Sequence, residues 1–288
     1  NPGDEILIPS PSYSLWTNAA YLAEATPVFY RCHQENNWQP DPEEIKSLIT
    51  ERTRAILIIN PNNPTGVIYG PELLKELVEV ARENKLLIFS DEIYDRLLLG
   101  DAVHVSTASL CPDLPVITFN GLSKSHVVCG FRCGWMCVSG PDELTKDYKA
   151  ALTALAAMRL CGNALTQLVI PAALEDSAYT KQMMSPGGRL YEQSKAACDA
   201  LEKIPGLTFV RNQAAFYVFP KLDIEQFGIT DDRKFALDLL HEKHILLVAG
   251  SGFDWPEPDH FRLVLLPEAQ ELKKAIEDIG DFLSTYHQ

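Results

Sequence analysis

The stretch Leu114-Pro115-Val116-Ile117-Thr118-Phe119-Asn120-Gly121-Leu122-Ser123-Lys124 is an apolar run that ends in an amide, a hydroxyl and an amine. Two upstream runs have the same build. Ala55-Ile56-Leu57-Ile58-Ile59 leads into Asn60-Pro61-Asn62-Asn63-Pro64-Thr65-Gly66, and Leu86-Leu87-Ile88-Phe89 leads into Ser90-Asp91-Glu92-Ile93-Tyr94-Asp95. Short apolar runs of this kind read as buried strands of a parallel sheet. Their polar ends recur roughly thirty residues apart, the period of successive strand–helix–strand units. Such sheets bind ligands just outside the carboxyl ends of their strands. Asn63, Asp91, Tyr94 and Lys124 are therefore expected around one crevice.

Outward from these runs the chain alternates. Glu5–Ile8 and Pro27–Tyr30 read as strands, with a helical stretch Ser14–Ala23 between them. Asp41 caps a short helix that Pro42 opens, with Glu43 and Glu44 complementing its dipole. Pro71 opens a longer helix through Asn84, whose apolar face is Leu73, Leu74, Leu77, Val78, Val80 and Ala81. Trp135–Ser139 is expected as one more strand of the buried sheet. Residues from Tyr148 to Leu201 are mostly helical in pattern, interrupted at Ser185-Pro186-Gly187-Gly188. The C-terminal third has a different pattern. There Leu207–Val210, Phe216–Phe219 and Phe261–Val264 read as strands, flanked by helices at Asp232–Glu242 and Glu268–Tyr286. The expected organisation is a large α/β domain over residues 1–180 and a smaller α+β domain over 181–288.

Bulk properties narrow the function classes. The 288 residues carry 25 Lys and Arg against 39 Asp and Glu, a formal charge of −14. An acidic surface argues against nucleic acid and anionic membranes as partners. No apolar stretch has the length of a membrane span. Seven cysteines without framework spacing suit a reducing cytoplasm. Cys129, Cys133 and Cys137 are evenly spaced, but with no fourth ligand nearby they read as small core residues, two of them on one strand face, and no metal is expected.

The converging groups define a chemistry. A lysine amine forms a Schiff base with an aldehyde cofactor. A carboxylate keeps a pyridine nitrogen protonated and turns the ring into an electron sink. An amide and a phenol hydrogen-bond the ring's phenolic oxygen. Pyridoxal 5′-phosphate needs those services. Each residue also has a plainer reading: Asp91 as a helix cap, Asn-Pro-Thr-Gly as a turn, Lys124 as a surface lysine. A rigid turn is itself a good way to aim an amide, so the two readings of Asn63 are compatible.

With these motifs in this order, the chain resembles a class I aminotransferase of the pyridoxal-phosphate-dependent, aspartate-aminotransferase fold (fold type I). It is similar along its length to bacterial glutamate–pyruvate (alanine) aminotransferases, through Met158-Arg159-Leu160-Cys161, Pro186-Gly187-Gly188-Arg189-Leu190-Tyr191-Glu192-Gln193 and Tyr286-His287-Gln288. The resemblance implies a mixed, mostly parallel sheet and a homodimer with its site at the subunit boundary. It implies that Lys124 carries the cofactor and shuttles the proton, that Asp91 pairs with the ring nitrogen, and that Asn63 and Tyr94 hold the phenolic oxygen. Tyr13 would stack on the ring, Ser123 and Arg132 would hold the phosphate, and Arg262, with Asn63, would hold the substrate α-carboxylate. Asn163 would lie near the cofactor. Two departures stand out: Val127 occupies a position where close relatives often carry an arginine, and Cys133 follows Arg132.

Family members extend further at the N-terminus, so the start at Asn1 reads as internal, with an entry arm, a strand and a phosphate-cradling helix expected before it. Met158 stands where aspartate aminotransferases place the arginine that reads a second carboxylate. Arg159 is one step along a helix and points about 100° away. The leading expectation is amino transfer between L-alanine and 2-oxoglutarate. An aspartate or aromatic aminotransferase, or a carbon–sulfur lyase of the same fold, is the alternative within the fold. The aminotransferase-like sensing domain of a transcription regulator is the alternative outside enzymology.

Overall fold

In the computed structural model, which describes residues 1–288, the three motif-bearing runs are neighbouring strands of one six-stranded sheet. Its strands are β1 (Glu5–Ser10), β2 (Thr26–Arg31), β3 (Thr53–Ile59), β4 (Leu87–Asp91), β5 (Val116–Gly121) and β6 (Gly134–Ser139), in the spatial order β2-β1-β3-β4-β5-β6. The first five are mutually parallel, and β6 returns antiparallel to β5. From β1 the chain steps one way to β2, and from β3 it steps the other way to β4 and β5. A ligand crevice forms at the carboxyl ends beside such a reversal.

The helices follow from local chemistry. Helix α1 (Leu15–Leu22) joins β1 to β2. Helix α2 (Pro42–Leu48) is capped by Asp41, whose side chain accepts from the Glu43 amide at 2.9 Å. Helix α3 (Pro71–Glu83) begins with proline at its first position and buries Leu74, Leu77, Val78, Val80 and Ala81 under the sheet. A one-turn helix, α4 (Leu122–Ser125), starts directly at the end of β5 and carries Lys124. After β6 come α5 (Asp142–Arg159), the short α6 (Ala164–Gln167) and α7 (Ile170–Glu175), then α8 (Ala178–Met184) and α9 (Arg189–Leu201).

The remainder is antiparallel sheet and helix. Strands β7 (Leu207–Thr208), β8 (Tyr217–Val218), β9 (Lys221–Leu222), β10 (Val248–Ala249) and β11 (Phe261–Val264) form a three-stranded sheet, β10-β11-β8, and a β7-β9 pair. Helices α10 (Ile224–Phe227), α11 (Asp232–Lys243) and α12 (Ala269–Leu283) complete the chain, and α12 lies along α9. One buried cluster lies under the large sheet around Ile56, Ile58, Leu77 and Ile88. A second joins α9, α11, α12 and β8 around Leu201, Val218, Phe235 and Ile279, and Tyr94 and Leu97 from the loop after β4 enter it. Gly66 sits at the seam. Its φ is +71°, and a Cβ there would fall 2.5 Å from the Asn212 Cβ and 2.8 Å from the Tyr217 carbonyl. The turn that aims Asn63 can abut residues 212–217 only because this position is glycine.

Two expectations need correction. Strand β6 is not buried: all of its residues are half-buried or exposed, Met136 and Cys137 among the exposed ones, because nothing in the chain pairs with its far edge. Helix α5 beyond it buries only Thr145. Cys133 and Cys137 do not share a strand face. Cys133 lies one residue before β6 and is buried, whereas Cys137 is within it and exposed. No helix is long and apolar enough to cross a membrane.

Candidate active site

The carboxyl ends of β1, β3, β4 and β5 open onto a cavity of about 690 Å³. Its walls contain eight of the residues singled out from the sequence: Tyr13, Asn63, Asp91, Tyr94, Ser123, Lys124, Arg132 and Arg262. Tyr13 arrives from the turn after β1, Asn63 from the turn after β3, Asp91 from the end of β4, and Ser123 and Lys124 from α4. Arg262 comes from β11, some two hundred positions from Asn63 in sequence, yet its Nη1 donates to Asn63 Oδ1 at 3.0 Å. Although the chain is acidic, the cavity is not: Lys124, Arg132 and Arg262 face one carboxylate, Asp91. Such a site attracts a doubly anionic ligand whatever the average surface charge.

Asp91 is held at both oxygens. Trp16 Nε1 donates to Oδ2 at 2.9 Å, and the Ile93 amide donates to Oδ1 at 3.2 Å. Burial raises its pKa above its ordinary value, while the Trp16 and Ile93 donors pull it back. Behind it, Glu92 Oε1 accepts from Ser90 Oγ, Ser106 Oγ and the Thr107 amide, so this buried neighbour is satisfied away from the cavity.

The Tyr94 hydroxyl lies 2.9 Å from the Tyr217 hydroxyl, and burial raises the pKa of both phenols. Arg262 is clamped between two rings, its Cζ 4.5 Å from the Tyr217 centroid and 4.6 Å from that of Phe253. Its Nε is buried with no protein acceptor. A guanidinium fixed on both faces with a donor unspent is prepared for an incoming acid.

Lys124 is half-buried and makes no ion pair within the protein. Burial pulls its pKa down, opposed by Cys129 and assisted by the nearby Arg262 and Arg132 cations. A larger neutral fraction makes the amine more nucleophilic. The segment after it is more open. Arg132 is exposed, its Nη1 donating to the Cys129 carbonyl, and both Val127 and Arg132 adopt left-handed backbone with φ of 56° and 51°. A second cavity of about 670 Å³ adjoins the first through Ser123, Lys124, Cys129, Tyr217 and Arg262, and the rest of its lining mixes apolar Met183, Leu190, Phe216, Val264 and Leu266 with Gln182 and Arg189.

Two wall residues have no role assigned from the sequence. Trp16 and Tyr217 supply the partners of Asp91 and Tyr94. Trp16 had no signal, because nothing near position 16 encodes a contact with position 91. Tyr217 had none either, because the run Phe216–Phe219 is apolar or aromatic throughout and does not reveal which side meets the site. Cys129, expected as a core residue, is instead exposed and borders both cavities, because the segment after α4 stays open. Asn163 does not line either cavity. It is exposed and caps α6 through the Thr166 amide.

The donor set fits pyridoxal 5′-phosphate. One wall offers a nucleophilic amine, a held carboxylate, a phenol and an amide, and the cationic side offers Ser123 and Arg132 for a phosphate.

Comparison with known proteins points the same way. The sequence model of the family described as aminotransferase class I and II matches residues 1–279. The glutamate-pyruvate aminotransferase AlaA of Escherichia coli (strain K12) is 49% identical over 288 residues, covering 100% of this chain and 71% of the relative. The alanine aminotransferase of Mycobacterium bovis is 48% identical over 286 residues, covering 99% and 67%. Among solved structures, a crystal structure of an aminotransferase from Escherichia coli superposes with a TM-score of 0.98 at 49% identity, over 100% of this chain and 71% of that one.

Proposed function

Because the chain belongs to the class I and II aminotransferases, enzymes that use pyridoxal 5′-phosphate to move amino groups between amino acids and 2-oxo acids, we propose that it transfers the amino group between L-alanine and 2-oxoglutarate, with Lys124 as the cofactor-bearing residue. The observation that carries this reading is the convergence of Lys124, Asp91, Asn63, Tyr94 and Arg262 on one cavity from separate parts of the chain. Support for alanine comes from the glutamate–pyruvate and alanine relatives. Met158, in place of a side-chain-reading arginine, argues against the aspartate enzymes' mode of side-chain recognition.

When bound, pyridoxal phosphate supplies the carbonyl that takes the amino group and a conjugated ring that accepts the electron pair left on the α-carbon. The protein does the rest. Asp91 would hold the ring nitrogen protonated, its two fixed donors favouring the anion against the burial that raises its pKa. The Asn63 amide and the Tyr94 hydroxyl would hold the phenolic oxygen, with Tyr13 against the ring face and Ser123 and Arg132 on the phosphate. Arg262, braced by Asn63, Tyr217 and Phe253, would take the substrate α-carboxylate. That leaves the Lys124 Nζ, with its pKa lowered, to take the proton from the α-carbon and return it.

The reading includes a homodimer. Leu155, Met158, Leu160, Leu165 and Leu168, each more than half exposed and close together in sequence from α5 to the end of α6, support a subunit contact there. It also includes a division into two domains near residue 180 and a cytoplasmic location, for which the seven unpaired cysteines are the support. The test of the activity is a half-reaction. Protein loaded with pyridoxal phosphate is mixed with L-alanine, and stoichiometric pyruvate is the expected product. Oxaloacetate from L-aspartate with no pyruvate from L-alanine would replace the alanine reading with an aspartate one.

A further inference from the structure

We infer that Trp16 is a positioning residue for this reaction: its indole N–H fixes the Asp91 carboxylate, in orientation and in ionised form, for the nitrogen of the bound ring. The inference rests on the function proposed above. Tyr13 lies in the turn after β1 and Trp16 in the first turn of helix α1, and both line the cavity wall. The Trp16 ring is wedged against the sheet, edge-on to Phe119 with centroids 4.9 Å apart at 74°, and tilted on Phe89 at 6.2 Å. Phe89 belongs to β4, the strand that ends in Asp91, and Phe119 is the register partner of Asp91 on β5. The indole is therefore fastened to the same two strands that carry Asp91 and lead to Lys124.

From that seat Nε1 donates to Asp91 Oδ2 at 2.9 Å, while the Ile93 amide takes Oδ1. An indole N–H only donates, so it favours the anion over the neutral acid. The other charged groups acting on Asp91 are Glu92, which opposes the anion, and Lys124, which supports it. A carboxylate oxygen has a second lone pair, so one donor each leaves both oxygens able to accept from a ligand. A residue that only packed would not need the nitrogen edge turned to Asp91. Phenylalanine at position 16 keeps the aromatic wedge and removes the donor.

The experiment measures the affinity of wild-type protein and Trp16→Phe for two cofactors: pyridoxal 5′-phosphate, and its carbocyclic analogue in which the ring nitrogen is CH. Losing a hydrogen bond to a buried charge should weaken pyridoxal phosphate binding roughly tenfold or more. The analogue should bind both proteins alike, because it makes no demand on Asp91. The kcat for L-alanine should fall by a similar factor with KM little changed. Equal weakening for both cofactors would show that Trp16 only packs, and an unchanged affinity for pyridoxal phosphate would also overturn the inference. Wild-type protein that fails to bind pyridoxal phosphate at all would overturn the underlying function, an outcome visible before any variant is made. Should Trp16→Phe fail to fold, the indole ¹⁵N–¹H resonance of Trp16, one of four tryptophans, carries the test. It should shift on Asp91→Asn, and a resonance that stays put would contradict the contact.

Discussion

The two sides of the cavity are built differently. On the strand-end side, Asn63, Asp91, Tyr94 and Arg262 each have a named partner, and Asn63 and Tyr94 are buried. On the α4 side, Ser123 and Lys124 are half-buried, Val127, Cys129 and Arg132 are exposed, and two of those residues hold left-handed backbone. In the proposed function the first side would read the parts of a ligand that must be recognised without adjustment, the ring nitrogen, the phenolic oxygen and the α-carboxylate. The second would handle the phosphate and the proton. Preorganisation belongs where charge is held, and an amine that takes and returns a proton needs room.

Substitutions on the two sides should therefore differ in kind. The largest effect is expected from Lys124→Ala, which removes the only amine in the cavity: steady-state turnover should fall on the order of 10⁴-fold or more. Residual activity near that of wild type would break the comparison at its centre.

Asp91→Asn comes next, with an expected loss in kcat of about 10²–10³-fold, the scale set by removing one preorganised charged contact. It also carries a pH signature in the cofactor-free protein. Burial raises the Asp91 pKa in the folded state above its unfolded value. The folded state then binds more protons than the unfolded one across that window, so the carboxylate's contribution is favourable at low pH and is lost as pH rises through the folded pKa. The asparagine variant, neutral throughout, should gain in melting temperature relative to wild type between acidic and neutral pH. A gap that shrinks with rising pH would contradict the assigned cause.

Arg262→Lys should cost less, roughly ten- to a hundredfold in kcat/KM, because an ammonium keeps the charge but loses the fork and the stacking between Tyr217 and Phe253. Steady-state kinetics with L-alanine would check it. The smallest effect belongs to the open side. A β-branched residue at φ 56° is strained, so Val127→Asn, which tolerates that backbone, should stabilise the protein by about 1 kcal/mol in denaturant unfolding. Destabilisation would mean that this segment is held more firmly than its exposure implies.

The same division governs what the sequence could tell. The alternation of apolar runs with Asn-Pro-Thr-Gly, Asp-Glu-Ile-Tyr and Ser-Lys set out the parallel sheet and brought Asn63, Asp91, Tyr94 and Lys124 together, because a strand's carboxyl end is fixed by where its apolar run stops. Contacts made side chain to side chain over long separations were not legible. Trp16 meets Asp91 across 75 positions and Tyr94 meets Tyr217 across 123, and no local pattern encodes either. The exposure of β6 escaped for a related reason. Its composition is that of a covered strand, but coverage depends on a neighbour and not on the strand itself.

The central claim, that Lys124 is the amine serving this cavity, has a direct test. The protein is mixed with pyridoxal 5′-phosphate, reduced with borohydride to fix the cofactor to whichever amine carries it, and digested for peptide mapping. One pyridoxyl group per chain, on the peptide containing Lys124, is the expected result. A label spread over other lysines, or retained in full by the Lys124→Ala protein, would contradict the account.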